Sequence, residues 1–308
     1  MTGDFGSTII AFVDSQQFLH YRLAQRLGEG PLGETWQAID PALERGVAVK
    51  ILRAYPPAAE DVRSHFVIRC EQMHSAEHPP AGVFDWAVDG DHQAIIRELI
   101  SGRSLAEVRS EGHMGYQVAL SLILRVAQTI KVIHHGGMVH GNLHPWNVIL
   151  DERGNPWLTD MLVPIALQAW LAAVPAPRRI FIAPEVQKGK PPDNQSDIYS
   201  LGSLLVFLVV DEKDTTAAVT DNSIFFAPPE SRFPPEGRLL LKKMLAGDPN
   251  ERFADIDELI VTLDAIQHDM PARAPGRRKR YSPRTYLLLS IMAILLIIYW
   301  VVEWWAKK

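Results

Sequence analysis

The sequence predicts an α+β chain: a small β-rich lobe, then a larger helical lobe, then one helix of membrane-spanning length. Three observations carry this. Up to about residue 100, short apolar runs separated by turns have the spacing of strands. From Ser101 to about His268 the apolar positions recur with helical period. Thr285 to Val302 then runs eighteen residues without a charge.

In chain order, Tyr21–Leu27 alternates as a strand, passes a glycine-rich turn, and is followed by strands over 35–39 and 47–52. The pattern turns helical over 59–75 and returns to strands over 84–88 and 94–99. A short helix is predicted over 104–108, and a long one over 116–135, stopped by Gly136-Gly137. Short strands are expected over 148–150 and 157–159. The rest, to about His268, reads as mainly helical, with proline-rich loops near 191 and 228–235.

The chain has 308 residues, 47% hydrophobic and 22% charged, which is long enough for a real core and excludes a disordered, collagen-like or disulfide-scaffold protein. Its one cysteine, Cys70, permits no intramolecular disulfide and reads as a small buried residue of a reducing compartment. The net charge of −5 argues against a nucleic-acid partner, and it conceals an asymmetry. Residues 273–308 hold eight basic side chains and one acidic one, a tail of +7, which leaves −12 for residues 1–272.

At about 1.5 Å per residue, the segment 285–302 spans roughly 27 Å, close to the hydrocarbon thickness of a bilayer. Tyr281, Tyr286, Tyr299, Trp300, Trp304 and Trp305 flank it, where aromatic rings prefer the interface. Six basic residues precede it and two follow, which predicts a cytoplasmic N-terminal part. The first residues show no signal-like basic and apolar regions, so a tail-anchored layout is expected. The expected divisions are an extension over 1–19, a globular domain over 20–268, a basic juxtamembrane linker over 269–284, the transmembrane helix over 285–302 and a short tail over 303–308. Residues 273–302 are expected to meet membrane lipids, with the linker suited to an anionic surface.

The turn Gly28-Glu29-Gly30-Pro31-Leu32-Gly33 is a G-x-G-x-x-G followed by a strand rather than a helix, which favours a hairpin covering phosphates over a dinucleotide fold. Seventeen residues later, Val47-Ala48-Val49-Lys50 ends a strand in a lysine able to meet those phosphates. Further on come Glu98 with Ser101-Gly102-Arg103-Ser104-Leu105, the stretch Met138 to Asn147 (MVHGNLHPWN), Leu158-Thr159-Asp160, Ala183-Pro184-Glu185, Asp197-Ile198-Tyr199-Ser200-Leu201-Gly202, and Asp248-Pro249-Asn250-Glu251-Arg252-Phe253. In this order the segments resemble the landmarks of a protein kinase over roughly residues 20–268, with spacing most like the bacterial Ser/Thr kinases. The resemblance implies a bilobal kinase-like fold, ATP and Mg²⁺ as cofactors, and Gly28, Gly30, Gly33, Ala48, Lys50, Glu71, Glu98, Asn147 and Asp160 around the nucleotide. Asn147 and Asp160 would hold the metal. It also implies that Arg252 pairs with Glu185.

The departures from that pattern bear on function. Asn142 stands where the family has its catalytic aspartate, and an amide cannot accept the substrate's proton as a general base. His144 replaces the phosphate-stabilising lysine, Gly141 replaces the loop arginine, and Asp160-Met161-Leu162 lacks the glycine of D-F-G. No Ser, Thr or Tyr lies between Met161 and Pro184, so nothing there can be phosphorylated, and Arg178 takes the position of the peptide-docking threonine. The apolar run Ile165–Val174, with Trp170, reads as a short helix packed on the lobe or as a partner surface.

Two counts disagree over the partner of Lys50: the distance from Lys50 selects Glu71, whereas counting back nine from His78-Pro79 gives Arg69. Four histidines, His134, His135, His140 and His144, fall within eleven residues but have no Cys or acidic residue beside them, which disfavours a metal site. The expectation is a membrane-anchored pseudokinase, binding nucleotide and serving as scaffold or allosteric regulator of a protein partner. It would face the cytoplasm, with a bacterial inner membrane favoured. The alternative is a weakly active Ser/Thr kinase using Lys50 and Asp160 without a dedicated base.

Overall fold

The computed structural model describes residues 17–53, 58–161, 167–210 and 233–269. The linker, the membrane segment and Leu162 lie outside them. The first sheet is antiparallel and six-stranded: β1 (Gln17–Phe18), β2 (Tyr21–Gly30), β3 (Gly33–Asp40), β4 (Arg45–Leu52), β5 (Val83–Asp89) and β6 (His92–Glu98), in the order β1-β2-β3-β4-β6-β5. It begins at Gln17, inside the segment expected as an extension, because Phe18 is fully buried among Tyr21, Leu23, Val49 and Ile96. β4 has neighbours on both sides, and its last six residues, Val47 to Leu52, are all buried. Register places Lys50 opposite Ile95 and Ala48 opposite Arg97. Lys50 and Arg97 are therefore diagonal neighbours on one face of the sheet.

Helix α1 (Glu60–Met73) packs on this sheet through Phe66, Cys70 and Met73, an i, i+4, i+7 stripe. Phe66 meets the edge of Trp86 with ring centroids 5.5 Å apart. Burial pushes the Cys70 thiol up to about 12, so the cysteine is a core residue and not a nucleophile.

The second lobe opens with β7 (Gly102–Ser104) and α2 (Leu105–Ser110), whose Ser104 and Glu107 form a capping box. Helix α3 (Tyr116–His135) is its central rod and stops at Gly136, with Gly137 at φ +68°. It is the one described helix long and apolar enough to cross a membrane, but more than half of it is buried within the lobe. β7 pairs with β8 (Val148–Asp151), which pairs with β9 (Pro156–Leu158). Then follow α4 (Leu167–Ala173), α5 (Pro184–Gln187), α6 (Asn194–Val209), α7 (Pro235–Met244) and α8 (Ile256–Asp269). Within the apolar run around Trp170 the packed-helix reading holds: Trp170 and Val174 are buried. Gly202 of α6 lets α7 approach, since a Cβ there would lie 2.9 Å from the Met244 Cβ.

Two buried carboxylates hold this lobe. Glu185 takes both amino groups of Arg252, at 2.7 and 2.8 Å, as the motif reading expects. Arg252 also donates to the carbonyls of Ala246 and Gln195, each at 2.9 Å. Asp197, fully buried, accepts the backbone N–H groups of His140 and Gly141 at 2.9 Å each and lies 2.9 Å from His134 Nε2. One α6 side chain thus fixes the loop that leads to Asn142. Arg252→Met strands Glu185 as an unpaired buried charge and should cost about 3–5 kcal/mol in urea unfolding. Glu185→Gln combined with Arg252→Met should cost distinctly less than the sum of the single changes.

Candidate functional site

Between the lobes lies a cleft of about 430 Å³, lined by Gly28 and Gly30 above and Asn142 and Asn147 below. Lys50, Arg97 and Asp160 also line it. Lys50 Nζ lies 2.7 Å from Asp160 Oδ2, and Arg97 Nε lies 3.2 Å from Oδ1, so each carboxylate oxygen faces one cation. All three side chains are over 90% buried. Burial pushes the Asp160 carboxyl up, but Lys50 first and Arg97 second outweigh it and hold it well below the usual carboxylate range. Asp160 sits at φ +58°, a left-handed conformation that aspartate tolerates better than most residues. Arg97 also donates from Nη1 to the carbonyl of Glu98 at 3.2 Å, so its guanidinium reaches from Asp160 to the end of β6.

Below, Asn142 Nδ2 donates to the backbone carbonyl of Asp160 at 3.0 Å, and Asn147 Nδ2 donates to the carbonyl of Asn142 at 2.9 Å. Thr159 N–H donates to the carbonyl of Asn147 at 3.0 Å and closes the circuit. An ionised aspartate at 142 has no proton to donate, so asparagine here is a clamp that the family residue could not be. His144 is buried: burial first, then the guanidinium of Arg178, push its imidazole down to about 3. It is neutral at physiological pH and cannot replace the positive charge of the family lysine.

The segment leading to Ala183 also enters the site. The Arg178 guanidinium lies 4.3 Å from the ring centroid of Trp146, a cation–π contact, and Nη1 comes within 3.6 Å of where a Cβ on Gly30 would stand. Gly33 is obligatory, with φ +139° and the Ile51 carbonyl 1.9 Å from any Cβ, whereas Gly28 faces open space.

Of the residues singled out from sequence, Gly28, Gly30, Lys50, Asn142, His144, Asn147 and Asp160 share the cleft. Gly33 shapes the turn, and Ala48 is buried in β4 without lining the cavity. Glu98 is turned aside: its carboxylate accepts the N–H of Gly82 at 3.1 Å. Glu71 requires a correction. It is exposed on α1 and makes no pair with Lys50, because the buried stripe of that helix runs through Cys70, one residue away. Arg69 faces the helical lobe instead, donating to the carbonyls of Gly136 and Gly137 at 2.8 and 3.1 Å. His134 and His135 serve Asp197 and Asp257, and among the described residues no group of three His, Cys, Asp or Glu side chains is placed to hold a metal. Sequence reasoning missed Arg97. Its signal was a charged residue directly after the apolar run Ala94-Ile95-Ile96, where a buried cation demands a partner.

A family model for the protein kinase domain matches residues 21–268. The chain belongs to the protein kinase family. A probable serine/threonine-protein kinase of Clostridium perfringens is 27% identical over 264 residues, covering 81% of this chain and 38% of its own length. The serine/threonine-protein kinase PknA of Corynebacterium glutamicum is 28% identical over 275 residues, covering 80% and 56%. PknA of Mycobacterium tuberculosis is 27% identical over 281 residues, covering 85% and 64%. The chain thus spans less than two thirds of the length of these curated relatives. The crystal structure of the Mycobacterium tuberculosis PknI kinase domain superposes with TM-score 0.60 at 21% identity, over 81% of this chain and 97% of that one, which supports the bilobal fold.

Protein kinases generally use ATP and Mg²⁺. The metal donors of this kinase domain do not fit a divalent cation. Asp160 already has a cation on each oxygen; Asn147, whose amide nitrogen is committed to Asn142, brings only its amide oxygen to a metal. The other cleft carboxylates are engaged as well, Glu29 with Arg26 and Arg53, and Glu107 with the cap of α2.

The low affinity of His144 for protons has a consequence for stability. Below about pH 6.5 the unfolded chain takes up a proton at residue 144 that the folded chain refuses until about pH 3, so stability falls as pH drops through that window. By pH 5 this amounts to about 2 kcal/mol. Urea unfolding of His144→Gln should lose about that much less between pH 7 and pH 5 than the parent chain. Equal losses would show that His144 does not refuse the proton.

Proposed function

We propose that this kinase-family chain is a pseudokinase whose bilobal domain works as a scaffold or allosteric regulator of a protein partner, held at a membrane by its C-terminal segment. The observation that carries the first part is the Asn142 clamp. At the position of the catalytic base stands an amide that donates its proton to the Asp160 carbonyl. It offers no basic group to a substrate hydroxyl, and no other ionised carboxylate of the catalytic loop stands in for it. The neutral His144 and the absence of any hydroxyl residue from 161 to 184 support the same reading, since transition-state charge and activation by phosphorylation both lack their usual groups.

The membrane part rests on sequence: the uncharged span 285–302, its aromatic flanks and the basic run before it favour a single-pass anchor with the domain on the cytoplasmic side, and the likeness to bacterial kinases favours a bacterial inner membrane. The family's general use of ATP leaves room for nucleotide in the cleft, and Gly28, Gly30 and Lys50 are the groups that favour it. A weakly active Ser/Thr kinase is the alternative that the names of the relatives favour.

Phosphate transfer from radiolabelled ATP to a general acceptor protein separates the two. The wild-type chain should incorporate no more label than Asp160→Ala. Asn142→Asp should also stay silent and lose about 1–3 kcal/mol of stability, because it replaces a satisfied donor with a carboxylate against a carbonyl. Wild-type labelling that disappears in Asp160→Ala would establish the kinase alternative.

A further inference from the structure

We propose that Arg97 is a built-in substitute for the divalent cation, so that the ion triad Lys50–Asp160–Arg97 joins the lobes without ligand and closes the cleft to magnesium-bound nucleotide. The geometry is specific. Arg97 and Lys50 come from adjacent strands and point from the same face of the sheet, and Asp160 rises to them from the segment that follows β9. The two contacts, 2.7 and 3.2 Å, use the two carboxylate oxygens that a metal would need. The pairing leaves the triad at net +1. A divalent cation brought within a few ångströms would meet two buried like charges that water screens poorly. The opposite end of the same guanidinium occupies the carbonyl of Glu98, at the end of β6 and beside a residue the kinase resemblance places around the nucleotide. Ala48, directly across from Arg97 on β4, is small enough to leave that side chain its path.

The triad also explains why Lys50 manages without Glu71. The lysine's charge is met by Asp160, so α1 need not turn an acidic residue inward and can present Glu71 to solvent. Arg69 then ties α1 directly to the turn after α3. Lobe closure in this chain is therefore a property of its side chains.

This inference rests on the pseudokinase reading, and its test is separate from phosphate transfer. Thermal unfolding of the full chain in detergent is followed with millimolar ATP, in the presence of Mg²⁺ and in EDTA. The wild type should show no magnesium-dependent shift. Arg97→Met, which keeps the length and removes the charge, should gain a rise of about 2–4 °C that needs Mg²⁺ and disappears in the double variant with Asp160→Asn. Arg97→Gln serves if the methionine variant does not fold. A magnesium-dependent rise in the wild type overturns the proposal while leaving the pseudokinase reading in place. The absence of any such gain in a folded Arg97 variant overturns it equally.

Discussion

A buried carboxylate with two buried cations organises this molecule. Asp160 lies in the segment after β9 with its side chain over 90% buried, and an uncompensated charge there would cost several kcal/mol. Lys50 and Arg97 compensate it from two neighbouring strands of the other lobe, each on its own oxygen. The sheet register makes this possible, since it sets Lys50 and Arg97 as diagonal neighbours on one face, within reach of a single group. The carbonyl of the same residue is held from below by Asn142, which is in turn held through Asn147 and the buried Asp197 behind the loop. Two strands and the loop that carries Asn142 are thereby fixed through one residue in a left-handed conformation.

Seen from that centre, the departures from the kinase pattern form one set. Asparagine at 142 gains a donor that the structure uses and loses the base that chemistry would need. Gly141 adopts φ +65°, a conformation a side chain at that position would strain, so the arginine is missing where the backbone disfavours one. His144 is neutral because it is buried beside Arg178, and Arg178 covers Trp146 below the glycine-rich turn. Asn142 and Asp160, at positions that serve phosphate transfer in the family, here tie the loop to the strands above it.

Much of this was legible in the sequence. The helix over 116–135 was readable to the residue, because its apolar period is uninterrupted and a glycine pair stops it. The Glu185–Arg252 pair followed from its motifs. The partner of Lys50 did not. Spacing along the chain counts residues, whereas the facing of α1 is decided by which of its side chains the sheet buries. The stripe Phe66, Cys70, Met73 puts Glu71 a hundred degrees away from Cys70. Arg97 was hidden for a related reason: its role depends on strand register and on a residue 63 positions later. Both are set by tertiary packing, which local pattern does not encode.

The coupling between Arg97 and Asp160 is the quantity on which the rest turns, and a double-mutant cycle in urea measures it. Arg97→Met, Asp160→Asn and the double variant are compared with the parent chain at one pH and salt concentration. A favourable coupling of about 1.5–3 kcal/mol is expected for a buried, charge-assisted contact. A coupling near zero would mean that Arg97 merely lies beside Asp160, and that the two lobes are joined by something else.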